Sequence, residues 1–89
     1  MKYLLFYELA ENAGPLAHQH FPAHKERLVQ FAERGQLLLV GTLSDEPVGA
    51  MAVFRTREAA EEFMADDPFV QHGVVGARRI REWDEILQP

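Results

Sequence analysis

The side chains best suited to moving protons near neutral pH are the four histidines, His18, His20, His24 and His72. A carboxylate that holds the proton of one ring nitrogen leaves the other nitrogen free to accept a proton, and such a pair is a general base. Asp67 is the carboxylate that we expect beside His24, for the reasons of topology given below. The chain has no cysteine, which excludes thiolate nucleophiles and thiolate metal ligands.

His24 belongs to a stretch that we predict to be the first helix, from about Pro22 to Arg34. Proline suits the first helical position, because its fixed φ fits there and its missing N–H would be unpaired anyway. Gly35 is typical of a helix end. Apolar side chains and His24 recur at steps of three and four residues on the side that packs inward, namely Phe21, His24, Leu28 and Phe31. The pattern therefore predicts a core-facing imidazole near the start of a helix.

Length and composition indicate one domain covering residues 1–89, with enough apolar residues, 47%, for a real core. The net charge of −5 argues against a nucleic-acid partner, which needs a basic face. The N-terminal stretch has no signal-like cleavage region and nothing near membrane-spanning length, so we expect no membrane partner. The lack of cysteine favours a cytoplasmic location.

The remaining pattern predicts four strands and a second helix. Thr56 is a candidate cap for that helix, and Asp66-Asp67-Pro68 ends it, since proline removes a donor and restricts the residue before it. Residues Glu11 to Pro15 are typical of a loop. The predicted strands are Lys2 to Tyr7, Leu37 to Leu43, Ala50 to Arg55 and Val74 to Trp83.

The element order β-α-β-β-α-β predicts an α+β, ferredoxin-like fold. Right-handed crossovers then place both helices on one face of a four-stranded antiparallel sheet. The first two strands are nevertheless apolar on both faces, whereas a sheet with a wet side should alternate. We therefore expect a second copy of the chain to cover the open face, giving a homodimer with a barrel-like interior. The alternative is a monomer with an unusually apolar surface.

The same topology places distant residues at one end of the sheet. The first helix starts where the second one ends, so His24 and Asp67 share that end. The ends of the first two strands and the segment after the second helix arrive there too. We expect a small-molecule site in which these segments supply the binding residues Tyr7, Gly41, Thr42, Phe69 and His72.

A set of short motifs runs along nearly the whole chain, namely Pro22-Ala23-His24, Arg27-Leu28, Gly35, Leu37-Leu38, Gly41, Glu58-Ala59, Asp67-Pro68-Phe69, Gly73 and Trp83. With these motifs the sequence resembles the YCII (YciI-like) family. The resemblance implies a dimeric α+β barrel, an active site at His24 and Asp67, and substrates that are mostly unknown, with one branch linked to dehydrochlorination of hydroxylated aromatics. Family members often carry arginine where this chain has Phe21, and proline where it has Thr42.

Two classes of function remain open at this point. In the first, His24 and Asp67 perform acid–base chemistry, with elimination from a phenolic or enolisable compound as the favoured reaction and no cofactor. In the second, the pair is a structural hydrogen bond, and the site only holds a small ligand or serves an interaction. His18, His20 and His24 have ligand-like spacing. We expect no metal, however, because His18 and His20 are predicted to lie on a solvated loop.

Overall fold

The structure is a computed structural model that describes residues 1–89. It has four strands and three helices, in the order β1 (Lys2–Leu9), α1 (Gly14–Glu33), β2 (Leu37–Leu43), β3 (Gly49–Phe54), α2 (Arg57–Ala65), α3 (Pro68–Gln71) and β4 (Val75–Trp83). All neighbouring strands are antiparallel, and their order across the sheet is β2-β3-β1-β4. This is the ferredoxin-like arrangement that the sequence predicted, with one short helix, α3, that it did not.

Helix α1 begins earlier than predicted. It starts at Gly14 rather than Pro22, so that Pro15 lies in its first turn and Pro22 lies inside the helix. Pro22 cannot donate to the carbonyl of His18, which is the bond that an ordinary residue would make there. The prediction was wrong because Pro15 supplies the same first-turn signal as Pro22, and the loss of one hydrogen bond at Pro22 does not end the helix. The predicted loop from Glu11 to Pro15 is shortened accordingly.

The end of α1 is as predicted. Gly35 has a φ of +74°, a conformation that favours glycine. Its N–H donates to Ala32 O at 2.9 Å, and the N–H of Gln36 donates to Phe31 O at 3.0 Å, which together form a Schellman motif. The motif closes the helix and directs the chain into β2. The other predicted cap is also confirmed, since the Thr56 hydroxyl accepts from Ala59 N–H at 3.1 Å at the start of α2.

The core lies between the sheet and the helices. Three phenylalanines at its centre, Phe31, Phe54 and Phe63, are 0%, 0% and 1% exposed. Phe31 meets Phe54 and Phe63 edge to face, with ring centroids 6.3 Å and 5.3 Å apart. This packing holds α1 and α2 against β3, and it therefore fixes the positions of the two helices relative to the sheet. No helix has both the length and the apolar character that crossing a bilayer requires.

The opposite face of the sheet has no helix on it. Alternation along β1 places Leu4 and Phe6 on this open face, and the strand register places Met51 and Trp83 beside them. Leu39 on β2 pairs with Val53, which is the partner of Leu4, and is 67% exposed. The open face is thus apolar along β1, β2 and β3, as the sequence indicated for the first strand, whereas β4 adds Arg79 and Arg81 to it as the partners of Phe6 and Leu4.

Candidate functional site

Asp67 is the centre of the candidate site. It follows Asp66, the C-cap of α2, and caps the N-terminus of α3, where its Oδ1 accepts from the Phe69 N–H at 3.1 Å. Pro68 follows it in the first turn of that helix, where a missing N–H costs little. The Asp67 side chain is completely buried. A buried carboxylate is stable only when polar groups satisfy it, so its remaining partners define the site.

His24 is the second of these partners. Its Nδ1 lies 2.7 Å from Asp67 Oδ1, so two residues 43 positions apart in the chain meet here. His24 lies in the middle of α1 rather than near its start, because the helix begins at Gly14. Its ring lies parallel to that of Phe69, with centroids 3.8 Å apart and planes 3° apart. The hydrogen bond and the stacked ring together fix the orientation of the imidazole.

Tyr7 is the third partner. Its hydroxyl, near the end of β1, donates to Asp67 Oδ2 at 2.8 Å. Burial raises the pKa of the Tyr7 phenol far above its ordinary value, and the neighbouring Asp67 raises it further. Tyr7 therefore stays protonated and keeps donating to Asp67. The sequence named Tyr7 as a binding residue, but it did not predict this bond.

These contacts determine which nitrogen of His24 can react. An ionised Asp67 only accepts hydrogen bonds, so Nδ1 carries the proton in the bond to Oδ1. Nε2 has no hydrogen-bond partner in the chain, and it is not among the buried polar atoms without partners. It is therefore accessible and able to accept a proton. This is the arrangement that a general base requires.

A cavity of about 550 Å³ lies next to the imidazole, between α1 and the helix-facing side of the sheet. Its size is within the range of about 300–1,000 Å³ that is common for small-molecule sites. Of the residues predicted to bind a ligand, it is lined by Tyr7, Gly41, Thr42 and Phe69, together with His24. Most of its wall is apolar. The sequence did not indicate much of that wall, since only the fold shows which apolar side chains leave a gap; these residues include Leu9, Phe21, Val40, Val48 and Val74.

The other three histidines lie outside this cavity. His72 was predicted to bind a ligand, but it is exposed and stacks on His20, with ring centroids 3.9 Å apart. His18 and His20 lie on helix α1 rather than on a loop, because the helix begins before them. No group of three or more His, Cys, Asp or Glu side chains is placed to hold a metal ion.

A second cavity, of about 290 Å³, has a different character. It lies where β1 and β4 meet the hairpin between β2 and β3, and its lining includes Phe6, Glu8, Arg78 and Arg79. The guanidinium of Arg79 lies 5.8 Å from the centroid of the Phe6 ring, a cation–π distance. The lining reaches the open face of the sheet, away from His24.

The fold and the site together define a ferredoxin-like α+β protein with a buried aspartate–histidine pair beside an apolar cavity. The chain belongs to the YCII-related domain family, whose sequence profile matches residues 1–84. No curated protein matches the sequence.

Several solved structures have the same fold. The 5-chloro-2-hydroxyhydroquinone dehydrochlorinase TftG from Burkholderia phenoliruptrix AC1100, in complex with 2,5-dihydroxybenzoquinone, is 15% identical and has a TM-score of 0.77, with 94% of each chain covered. An antibiotic biosynthesis monooxygenase is 11% identical, with a TM-score of 0.60 over 98% of this chain and 100% of the other. A variant of SnoaB, a cofactor-independent oxygenase from Streptomyces nogalater, is 11% identical, with a TM-score of 0.54 over 99% and 96%. At these identities the likeness concerns the fold.

Proposed function

We propose that this protein is a small-molecule enzyme in which His24 and Asp67 perform acid–base chemistry. The observation that carries the proposal is the hydrogen-bonded series Tyr7–Asp67–His24, with distances of 2.8 Å and 2.7 Å, at the wall of the 550 Å³ cavity. In this series His24 Nε2 accepts a proton from a bound molecule. Asp67 orients the imidazole and stabilises its charge once the proton has been transferred.

Elimination from a hydroxylated aromatic or enolisable compound is the reaction that we assign to the site. In the keto tautomer of a chlorinated hydroxyquinol the chlorine-bearing carbon is saturated. His24 removes a hydroxyl proton, the O–H electron pair forms a carbonyl, and the adjacent ring double bond shifts toward the chlorine-bearing carbon. The C–Cl bond then breaks, and chloride leaves with the bonding pair. The net loss is HCl, so neither an oxidant nor a reductant is required. The fold shared with a dehydrochlorinase supports this choice of reaction.

The working unit in this proposal is a homodimer of the whole chain. Both long helices lie on one face of the sheet, and no helix covers the other face, where Leu39 is exposed and Leu4, Phe6 and Met51 are half-buried. Trp83, on the same face, is 45% exposed. Packing the open faces of two sheets against each other removes this apolar surface from water.

The competing function is a binding module in which the same residues are only structural. It is favoured by the fact that Asp67 also caps α3, so its burial has a structural explanation as well. Chloride release from a chlorinated hydroxyquinol separates the two functions. We expect His24→Gln to abolish release and His18→Gln, an exposed histidine on the same helix, to retain it. Equal rates in wild type and His24→Gln, with both variants folded, would contradict catalysis by His24.

A further inference from the structure

The cavity beside His24 contains no fixed charge. Its lining has no Lys, Arg, Asp or Glu side chain, and the only titratable groups that reach it are those of His24 and Tyr7. The polar groups that remain are the hydroxyls of Thr42 and Ser44 on the wall opposite α1. A ligand that brings a charge into this space finds no countercharge there.

The two titratable groups in the lining offer no free donor to an anion. The Tyr7 hydroxyl donates to Asp67, and the proton of the His24 ring is held on Nδ1 by the same carboxylate. The accessible Nε2 presents a lone pair, which repels a carboxylate and attracts a hydroxyl hydrogen. The His24 wall therefore suits a ligand that donates a hydrogen bond rather than one that accepts several.

The nearby arginine does not supply the missing charge. Arg27, one turn after His24 on α1, donates through Nε to Phe63 O at 3.1 Å and through Nη2 to Glu62 O at 2.7 Å. It is held at the end of α2 and does not line the cavity. The net charge of −5 adds a weak repulsion for any approaching anion.

Phe21 occupies a position from which a basic side chain could reach into the cavity. It lines the cavity on α1, is 49% exposed, and has its ring centroid 6.4 Å from that of His24. It adds a second aromatic face near the imidazole, where a bound ring can pack. A long basic side chain at this position would bring a positive charge into the same space.

We infer that the cavity selects uncharged, ring-sized molecules carrying a hydroxyl donor, and that Phe21 sets this selectivity against anions. The inference rests on the proposed function in that it names the substrate class of the same site. Room is sufficient, since a cavity of roughly 150 Å³ already holds benzene, and this one measures about 550 Å³.

The test compares two ligands of one shape, naphthalen-2-ol and naphthalene-2-carboxylate, by calorimetric titration of the intact protein at about pH 8, where an ordinary imidazole is neutral. We expect wild type to bind the naphthol at least about tenfold more tightly than the carboxylate. Phe21→Arg should tighten carboxylate binding about tenfold. The matched control is Val29→Arg, which adds the same charge at a position that is on α1, 46% exposed and outside the cavity lining.

Three binding results would overturn the inference. Carboxylate binding as tight as naphthol binding, or no naphthol binding, would show that the cavity does not select neutral rings. An equal gain in Phe21→Arg and Val29→Arg would assign the effect to net charge rather than to Phe21. Selective binding without any His24-dependent turnover would leave the inference standing and remove the proposed function. Turnover that depends on His24, with equal binding of the two ligands, would leave the proposed function standing and overturn the inference.

Discussion

The imidazole of His24 lies flat against the phenyl ring of Phe69, with 3.8 Å between ring centroids. The two residues come from α1 and α3, and Phe69 N–H also donates to the carboxylate that holds His24. Helix α3 therefore has two roles at the site, since it presents the stacking ring and places Asp67 at its own N-terminus. The orientation of the imidazole is set by this short helix as much as by α1.

Replacing Phe69 with leucine should disturb the orientation of the His24 imidazole while leaving the free energy of unfolding nearly unchanged. Leucine keeps an apolar side chain, so we expect the free energy of unfolding to change by less than about 1.5 kcal/mol. Turnover should fall about tenfold or more, because a base that is no longer held in plane reacts less often. Denaturant unfolding and chloride release measure the two effects. Val70→Ala, in the same helix, is the control and should lose much less activity.

Asp67→Asn should destabilise the protein as well as inactivate it. The amide retains one acceptor oxygen where the carboxylate serves three donors, so at least one buried polar contact is lost. We expect the free energy of unfolding to fall by about 1–3 kcal/mol, measured in urea. Asp66→Asn, at the exposed neighbouring position, is the matched control. A loss no larger than that of the control would show that the buried carboxylate contributes nothing.

The protein should lose stability at alkaline pH because of Tyr7. The folded protein raises the pKa of this phenol above its ordinary value of 10.0, so above that pH the unfolded chain binds fewer protons. The free energy of unfolding therefore falls as the pH rises, by at most about 1.4 kcal/mol per pH unit from this group. The contribution is fully present below pH 10.0.

Tyr7→Phe removes the phenol that causes this pH dependence of the free energy of unfolding. The variant should be less stable than wild type at neutral pH, because Asp67 loses a donor. Its stability should then fall less steeply above pH 10. Urea unfolding at a series of alkaline pH values tests this, with Tyr3→Phe on the same strand as the control. Parallel curves for wild type and Tyr7→Phe would count against the assignment.

The open face of the sheet should hold two chains together. Leu39 lies on this face on β2 and is 67% exposed, so Leu39→Glu places a charge where the dimer would bury an apolar side chain. We expect light scattering coupled to size exclusion to give a dimer for wild type and a monomer for this variant. Val29→Glu, which adds the same charge on the exposed side of α1, should remain dimeric. A monomeric wild type would reject the dimer.

Features that depend on neighbouring residues could be predicted from the sequence, whereas contacts between residues far apart in the chain mostly could not. Local signals were sufficient for the caps at Thr56 and Gly35, and topology alone predicted that His24 and Asp67 would share one end. The predicted start of α1 was wrong because Pro15 and Pro22 each fit the first turn of a helix, and no local signal distinguishes them. The bond from Tyr7 to Asp67 joins residues 60 positions apart, and nothing local distinguishes that tyrosine from a core one.

The state of the two His24 nitrogens tests the acid–base assignment most directly. Nitrogen-15 NMR of the imidazole, recorded with and without naphthalen-2-ol, reports which nitrogen is protonated and which contacts the ligand. We predict a protonated Nδ1, an unprotonated Nε2, and a resonance of Nε2 that moves when the naphthol binds. A proton on Nε2 with a bare Nδ1, or a ligand that binds without affecting either nitrogen, would contradict His24 as the base.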